Sequence, residues 1–429
     1  MSNYSIFMLD IQLLREDPEA VKQSLNRRSP SWATIVDQVL DCDTRRRETE
    51  TRVQNLRAER NRLSKEIGHL KSRQEDSSVI ETQVKGFAAQ MEELTILANA
   101  LDAEQRHLLL KLPNIPDPSI PDGDDADHNV TIRTWGTPAL AGSAEGHEAI
   151  AQRLGLFDLE RAAKISGSGY VCFSGEGARL ERALINFLLD LHTRSHGYTE
   201  MGMPLLVRRN CMEGTGQLPK FEEDMYGLDE GSHFLTPTAE VSLTNLYREE
   251  IVAERSLPLK LTASTACFRR ESGSAGRDTR GIIRMHQFNK VELVKICHPQ
   301  TSDVELISLM ADAERVLQLL ELPYRVLELC SGDLGFTAAR TYDLEVWAPG
   351  HAAFLEVSSC SHFGDYQARR MNLRYKGADG KNHFCHTLNG SGTALPRLYV
   401  ALLETHTQPG GPLVLPEVLR PYFGDSQIG

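Results

Sequence analysis

Apolar residues recur at alternating steps of three and four through residues 53–108. The first series is Val53, Leu56, Leu63, Ile67 and Leu70, with Arg60 filling one place; the second is Val84, Phe87, Met91, Leu94, Ala98, Leu101, Gln105 and Leu108. Such a repeat lays one narrow apolar stripe along a helix. The polar run Glu75-Asp76-Ser77-Ser78 separates the series, so the pattern predicts an antiparallel helical hairpin over residues 41–110. At ~1.5 Å per residue each helix would be on the order of 45 Å long, more than a small domain covers, and the pair is expected to project as an arm.

The pattern changes after LPNIPDPSIPDGDD (Leu112–Asp125), whose prolines, aspartates and glycine exclude regular helix or strand. This linker divides the chain into an N-terminal domain, 1–112, and a second domain, 113–429. The second reads as α+β on an antiparallel sheet, with a helix at 181–192 and strands at 260–268, 282–296 and 342–347 that lack a regular βαβ rhythm.

Alternation along the strand at 282–296 sends Arg284, His286, Phe288, Lys290 and Glu292 to one face and Ile283, Met285, Val291 and Leu293 to the other. Arg269 and Glu271 share a face on the preceding strand for the same reason. The loop between, SGSAGRDTRG, holds three glycines. A planar base fits between Arg and Phe on such a face, with an ammonium farther along; the plainer alternative is a solvent-facing strand of alternating charge.

Three other segments carry candidate chemistry. Thr-Pro-Thr-Ala-Glu, at 236–240, starts a helix and leaves the Thr238 hydroxyl and Glu240 carboxylate able to reach a small polar ligand. Glu356 and Ser358, on one face of a strand, are hard oxygen ligands suited to Mg²⁺ with a nucleotide. HTLNGSGTALPR reads as a Gly-rich turn entering an apolar helix, with Arg397 placed to favour a phosphate.

Charge narrows the choice of partners. Net charge is -12, so a nucleic acid would have to be held by local basic patches. The first hairpin helix supplies one: Arg45, Arg46, Arg47, Arg52, Arg57, Arg60, Arg62, Lys65, Lys71 and Arg73 form either a solvated surface of ion pairs or a phosphate-binding face. Without an apolar run of about 18 residues or a basic leader in MSNYSIFMLDIQLL, a membrane protein or an exported one is not expected. The expected location is cytoplasmic. LDIQLL begins just after Met8, which marks the first seven residues as an optional extension. The eight cysteines form no CxxC pair, and Cys360, His362, Cys385 and His386 match no closed zinc spacing.

Taken together, these motifs resemble the class II aminoacyl-tRNA synthetases and, within them, the seryl-tRNA synthetase family. GYTEMGMPLLVRRNCMEGTGQLPKF resembles motif 1 and its sequel (motif 1 about 181–205), FRRE through FNKVE resembles motif 2 (262–293), and NGSGTALPR motif 3 (387–404). TPTAEV, YDLEVW, SSCSHFGDYQARRMN and LDIQLLREDPEAVKQSLNRR are similar to that family's own signatures.

The resemblance implies a class II catalytic domain preceded by a coiled-coil arm, and ATP-dependent attachment of L-serine to tRNA(Ser), and also to tRNA(Sec), by a homodimer. Arg269 and Arg397 would be the catalytic cations. Thr238, Ala239, Glu240, Arg269, Glu292 and Ser391 would bind serine, with Glu240 on the hydroxyl and Glu292 on the ammonium. Arg269, Arg270, Glu271, Arg284, Phe288, Glu356, Val357, Ser358, Ser359 and Arg397 would bind ATP, and Glu356 with Ser359 would hold Mg²⁺. Arg277 and Arg280 would meet the tRNA. Strand alternation favours Ser358 beside Glu356 and the resemblance Ser359; a bulge between them would reconcile the two. Pro396, where the family usually has Gly, and Arg270, where it usually has Ser, depart from the pattern. The alternative is a specialised paralogue that activates serine or a related small amino acid for a non-tRNA acceptor.

Overall fold

The computed structural model describes residues 9–272 and 280–429. It divides into two compact units, one of residues 9–26 and 30–112 and the other of residues 27–29 and 113–429, with residues 112–125 in neither helix nor strand.

The first unit is helical: α1 (Ile11–Glu16), α2 (Pro18–Asn26), α3 (Trp32–Ser72) and α4 (Ser78–Lys111). The hairpin turn falls where the polar run predicts it. α3 begins earlier than 41 because Val36, Val39 and Cys42 continue its buried stripe. Its 41 residues and the 34 of α4 correspond to about 60 and 50 Å, longer than predicted. The heptad positions are less exposed than their neighbours, with Val53, Leu63, Leu101 and Gln105 buried.

One polar anchor sits in this seam. Buried Asp43 accepts from Arg15 Nη2 at 2.6 Å and Gln105 Nε2 at 2.8 Å. Burial pushes its carboxyl up, but these donors outweigh it and hold the group below the usual range. On the outer surface Arg45, Arg46, Arg62 and Lys71 pair with acids, while Arg47, Arg52, Arg57 and Lys65 are exposed.

The second unit is built on an eight-stranded sheet. Its strands are β1 (Val130–Trp135), β2 (Thr199–Glu200), β3 (Leu259–Phe268), β4 (Gln287–Cys297), β5 (Tyr324–Glu328), β6 (Arg340–Ala348), β7 (Ala353–His362) and β8 (His386–Ala394), in the spatial order β1-β5-β6-β7-β8-β4-β3-β2. Short β2 runs parallel to β3, and the other pairings are antiparallel.

Helices α5 (Gly175–Asp190), α7 (Ser302–Leu319) and α9 (Leu395–His406) bury their apolar stripes in one core with β4. Leu180, Leu184 and Leu188 of α5, and Leu306, Leu309 and Met310 of α7, share that core with Val291 and Leu293. Two short helices, α6 (Ala239–Thr244) and α8 (Tyr366–Met371), flank the sheet.

Four expectations change here. The strand predicted from 282 begins at Gln287, so Arg284 and His286 lie in an irregular approach where strict alternation fails. β3 ends at Phe268, and the chain leaves it through Glu271, whose φ of 51° is left-handed; Arg269 and Glu271 therefore do not share a strand face.

β7 does bulge: Ser358 lies opposite Leu344, yet Glu356 opposes Glu345, so Val357 is extra. Finally, NGSG is no turn but part of interior strand β8. Asn389 and Ser391 face one way, while Gly390 and Gly392 face the packing elements behind.

At Gly390 a Cβ would lie 2.4 Å from Leu309 Cδ2 and 3.0 Å from Cys360 Sγ. Glycine there lets α7 approach the sheet. Pro396 occupies the first turn of α9, where its missing N–H costs no helical bond and causes no kink. Gly390→Ala should lower the unfolding free energy by about 1–3 kcal/mol through overpacking, as read by urea denaturation; an unchanged midpoint would mean that α7 can move aside.

Candidate active site

A cavity of about 620 Å³ opens where β4, β7 and β8 meet α6 and the approach to β4. Its walls include Thr238, Glu240, Arg269, Glu271, Arg284, Phe288, Lys290, Glu292, Glu356, Val357, Ser359, Ser391 and Arg397, so the fold brings together segments more than a hundred residues apart.

The inner end is carboxylate-rich and buried. Glu292 is fully buried, its Oε2 2.5 Å from Lys290 Nζ in an ion pair and its Oε1 accepting from Asn389 Nδ2 at 3.1 Å. Register places it opposite Ser391 on β8 and Ala263 on β3.

Glu240 faces the same space from the first turn of α6, which Thr238 caps by accepting from the Glu240 N–H at 3.3 Å. Gln367 Nε2 on α8 donates to Glu240 Oε1 at 2.7 Å, and Gln367 Oε1 accepts from Thr387 Oγ1 at 2.8 Å. Burial, and then the nearby charge of Glu292, push the Glu240 carboxyl up to about 7.

The middle of the cavity is cationic and aromatic. The Arg269 guanidinium lies 5.3 Å from the Phe288 ring centroid, close enough for a cation–π contact. Arg284 instead pairs with Glu271. At the outer end Arg397 Nη1 donates to the Glu356 carbonyl at 2.9 Å, and Arg397 Nε to the Ile283 carbonyl at 3.3 Å. That end thus joins the start of α9 to β7 and the approach to β4.

Because of the bulge, Ser359 joins Glu356 on the cavity wall. Ser358 is buried beside Cys360 instead, 3.6 Å between Oγ and Sγ. Asp343, opposite Ser359 on β6, bonds its side chain. Burial and then Glu356 push the Asp343 carboxyl well above its usual range.

Not every predicted residue reaches the cavity. The Ala239 methyl packs in an apolar cluster with Leu243, Leu261 and Val294. Arg270 is exposed and absent from the wall. Arg280 is exposed, with Nη2 3.4 Å from His351 Nδ1, and Arg277 lies outside the described residues.

Among the residues not predicted for the site, three bond its side chains. Asn389 was within reach of the sequence, since alternation puts it on the face of Ser391. Gln367 and Asp343 had no such signal, because only tertiary packing brings them to Glu240 and Ser359.

A mainly antiparallel sheet with this cavity on its central strands is the catalytic fold of a class II aminoacyl-tRNA synthetase. Residues 221–406 match the family model described as tRNA synthetase class II core domain (G, H, P, S and T), and residues 8–116 match that of the seryl-tRNA synthetase N-terminal domain. The serine–tRNA ligase of Akkermansia muciniphila is 57% identical over 97% of this chain and 98% of its own; that of Pelotomaculum thermopropionicum is 49% identical over 98% and 100%.

Among solved structures, seryl-tRNA synthetase from Pyrococcus horikoshii complexed with ATP superposes with a TM-score of 0.92 at 36% identity, covering 98% of this chain and 99% of its own. The chain belongs to the serine–tRNA ligase family. A match that includes the N-terminal domain does not favour a paralogue serving a non-tRNA acceptor.

The raised Glu240 carboxyl makes stability depend on pH. Between about 4.5 and 7 the unfolded chain has lost a proton that the native state keeps, so native stability falls as pH rises through that window and levels off above it. Glu240→Gln should remove on the order of 2–3 kcal/mol of that decline. Chemical denaturation at pH 5, 6, 7 and 8 measures it; parallel curves for the two proteins would contradict the assignment.

Proposed function

We propose that this cavity activates L-serine with ATP to give seryl-adenylate and then passes the seryl group to tRNA(Ser). The observation that carries the reading is the sequence of chemistries along one cavity. Two buried carboxylates lie at the inner end, a guanidinium and an aromatic ring follow, and a second arginine stands at the far end. The ATP complex of the pyrococcal relative supports the nucleotide side.

Glu292 receives the serine ammonium and Glu240 its hydroxyl, with Thr238 and Ser391 adding hydrogen bonds and Ala239 the intervening backbone. Alanine would leave Glu240 without that partner, and an unpaired buried polar group is what discriminates against a substrate lacking the hydroxyl. Arg269 holds the α-phosphate, Glu271 contacts the nucleotide, Arg284 and Phe288 hold adenine between them, and Arg397 holds the γ-phosphate.

A carboxylate, Glu356, and a hydroxyl, Ser359, on the same wall fit a hard cation that takes its remaining ligands from phosphate and water. Mg²⁺ bound there would offset triphosphate charge. The serine carboxylate attacks the α-phosphorus and pyrophosphate leaves, so alignment and the Arg269 charge do the protein's part, with no covalent enzyme intermediate.

The remaining roles follow the same reading. The exposed cations of α3 meet tRNA phosphates, reading shape rather than bases, with Arg277 and Arg280 near the acceptor end; tRNA(Sec) is serylated in the same way. Two copies pair through the segment resembling motif 1. The protein works in the cytoplasm, where ATP and tRNA are found.

Arg269→Ala should slow adenylate formation by about 10²- to 10³-fold, the loss expected for one charge-stabilising donor, in serine-dependent pyrophosphate exchange; wild-type exchange in that variant would remove Arg269 from its role. Deleting residues 41–110 should spare adenylate formation and abolish transfer to tRNA. Loss of both together would argue against separate duties.

A further inference from the structure

Behind β8, on the side turned away from the cavity, a buried polar chain reaches the backbone next to Ser391. After Asp190 the chain continues as a single π-helical turn, Leu191–Ser195, a widened turn that is frequent at functional places. This turn sets the fully buried His192 ring against β8, with Nε2 2.8 Å from the Gly392 carbonyl oxygen. Its other nitrogen, Nδ1, is 3.0 Å from His196 Nδ1.

Chemistry fixes the protons. A carbonyl oxygen can only accept, so His192 Nε2 carries the hydrogen. Burial drives this imidazole down to about 4, and a neutral ring has one N–H. His192 Nδ1 must therefore accept from His196 Nδ1–H. Tyr198 OH donates to Asp312 Oδ2 at 2.9 Å, and Asp312 Oδ1 lies 3.6 Å from the same His196 Nδ1, a charge neighbour rather than a hydrogen-bond partner.

The place where this chain ends is not arbitrary. The β4–β8 ladder pairs Glu292 with Ser391 and Lys290 with Ala394, so it skips a residue across Gly392 and Thr393. Backbone groups at such an irregularity lose regular partners, and the His192 N–H supplies one. Gly392 is what admits the ring, since a Cβ there would lie 2.5 Å from Nε2.

We propose that His192 is a positioning residue for the serine subsite: its Nε2–H holds the Gly392 carbonyl at the ladder's irregularity and so fixes Ser391 opposite Glu292. The assignment rests on the reading of Ser391 as part of the serine pocket. It places the control of one pocket residue on the far side of the sheet, outside any contact with substrate.

The experiment joins kinetics with a direct view of the ring. Long-range ¹H–¹⁵N correlation on histidine-labelled wild-type protein should show His192 as the Nε2–H tautomer. In pyrophosphate exchange, His192→Phe should raise the serine KM about five- to tenfold, the effect of one buried hydrogen bond, with the ATP KM within about twofold of wild type. His192→Gln, which keeps an N–H donor, should recover most of the loss.

An Nδ1–H tautomer, an unchanged serine KM, or equal rises in both KM values would overturn the proposal. Should the Phe variant not fold, the wild-type tautomer and the Gln variant still decide. A wild-type protein that shows no serine-dependent exchange would defeat the functional reading instead, and the tautomer would remain a separate result.

Discussion

Two buried carboxylates, Glu240 and Glu292, face one pocket, and much of the surrounding structure makes that arrangement tolerable. A buried, uncompensated carboxylate costs several kcal/mol. Lys290 and Asn389 answer Glu292, and Gln367, itself held by Thr387, answers Glu240. The two are not answered equally. Glu292 has a cation in contact, whereas Glu240 is bonded by an amide, feels Lys290 and Arg269 without an ion pair to either among the described residues, and carries a raised proton affinity. That inequality suits a substrate with one charged and one neutral polar group.

Bringing these groups together requires a thin, rigid wall between the pocket and the core. β8 supplies it by alternating polar residues toward the cavity with glycines toward α7 and His192. Larger residues on the back face would push the helices away, and Asn389 and Ser391 would lose the support that aims them. The β7 bulge is a comparable device, since one extra residue turns Ser359 to the wall and Ser358 into the core.

How much of this was legible in the sequence depends on how local the signal was. The helical hairpin was readable because its repeat lies within one pair of elements, and α3 exceeded the expectation because Val39 and Cys42 continue the same spacing beyond Arg46 and Thr49, polar residues that interrupt the apolar run. Phe288, Lys290 and Glu292 were readable as one face because they lie within regular strand. Arg284 was not, because strand geometry starts only at Gln287. NGSG was misread as a turn because glycine serves close packing as readily as bending.

The sequence by itself determined the helical arm, the α+β class and the residue types of the pocket, since these follow from periodicity, turn chemistry and motif composition within short windows. Only the tertiary structure decided which of those residues share a wall. Gln367 meets Glu240, Asp343 meets Ser359 and His192 meets Gly392 across separations of 127, 16 and 200 residues. No local pattern encodes such meetings, because they depend on strand register and on how closely a helix can approach a sheet.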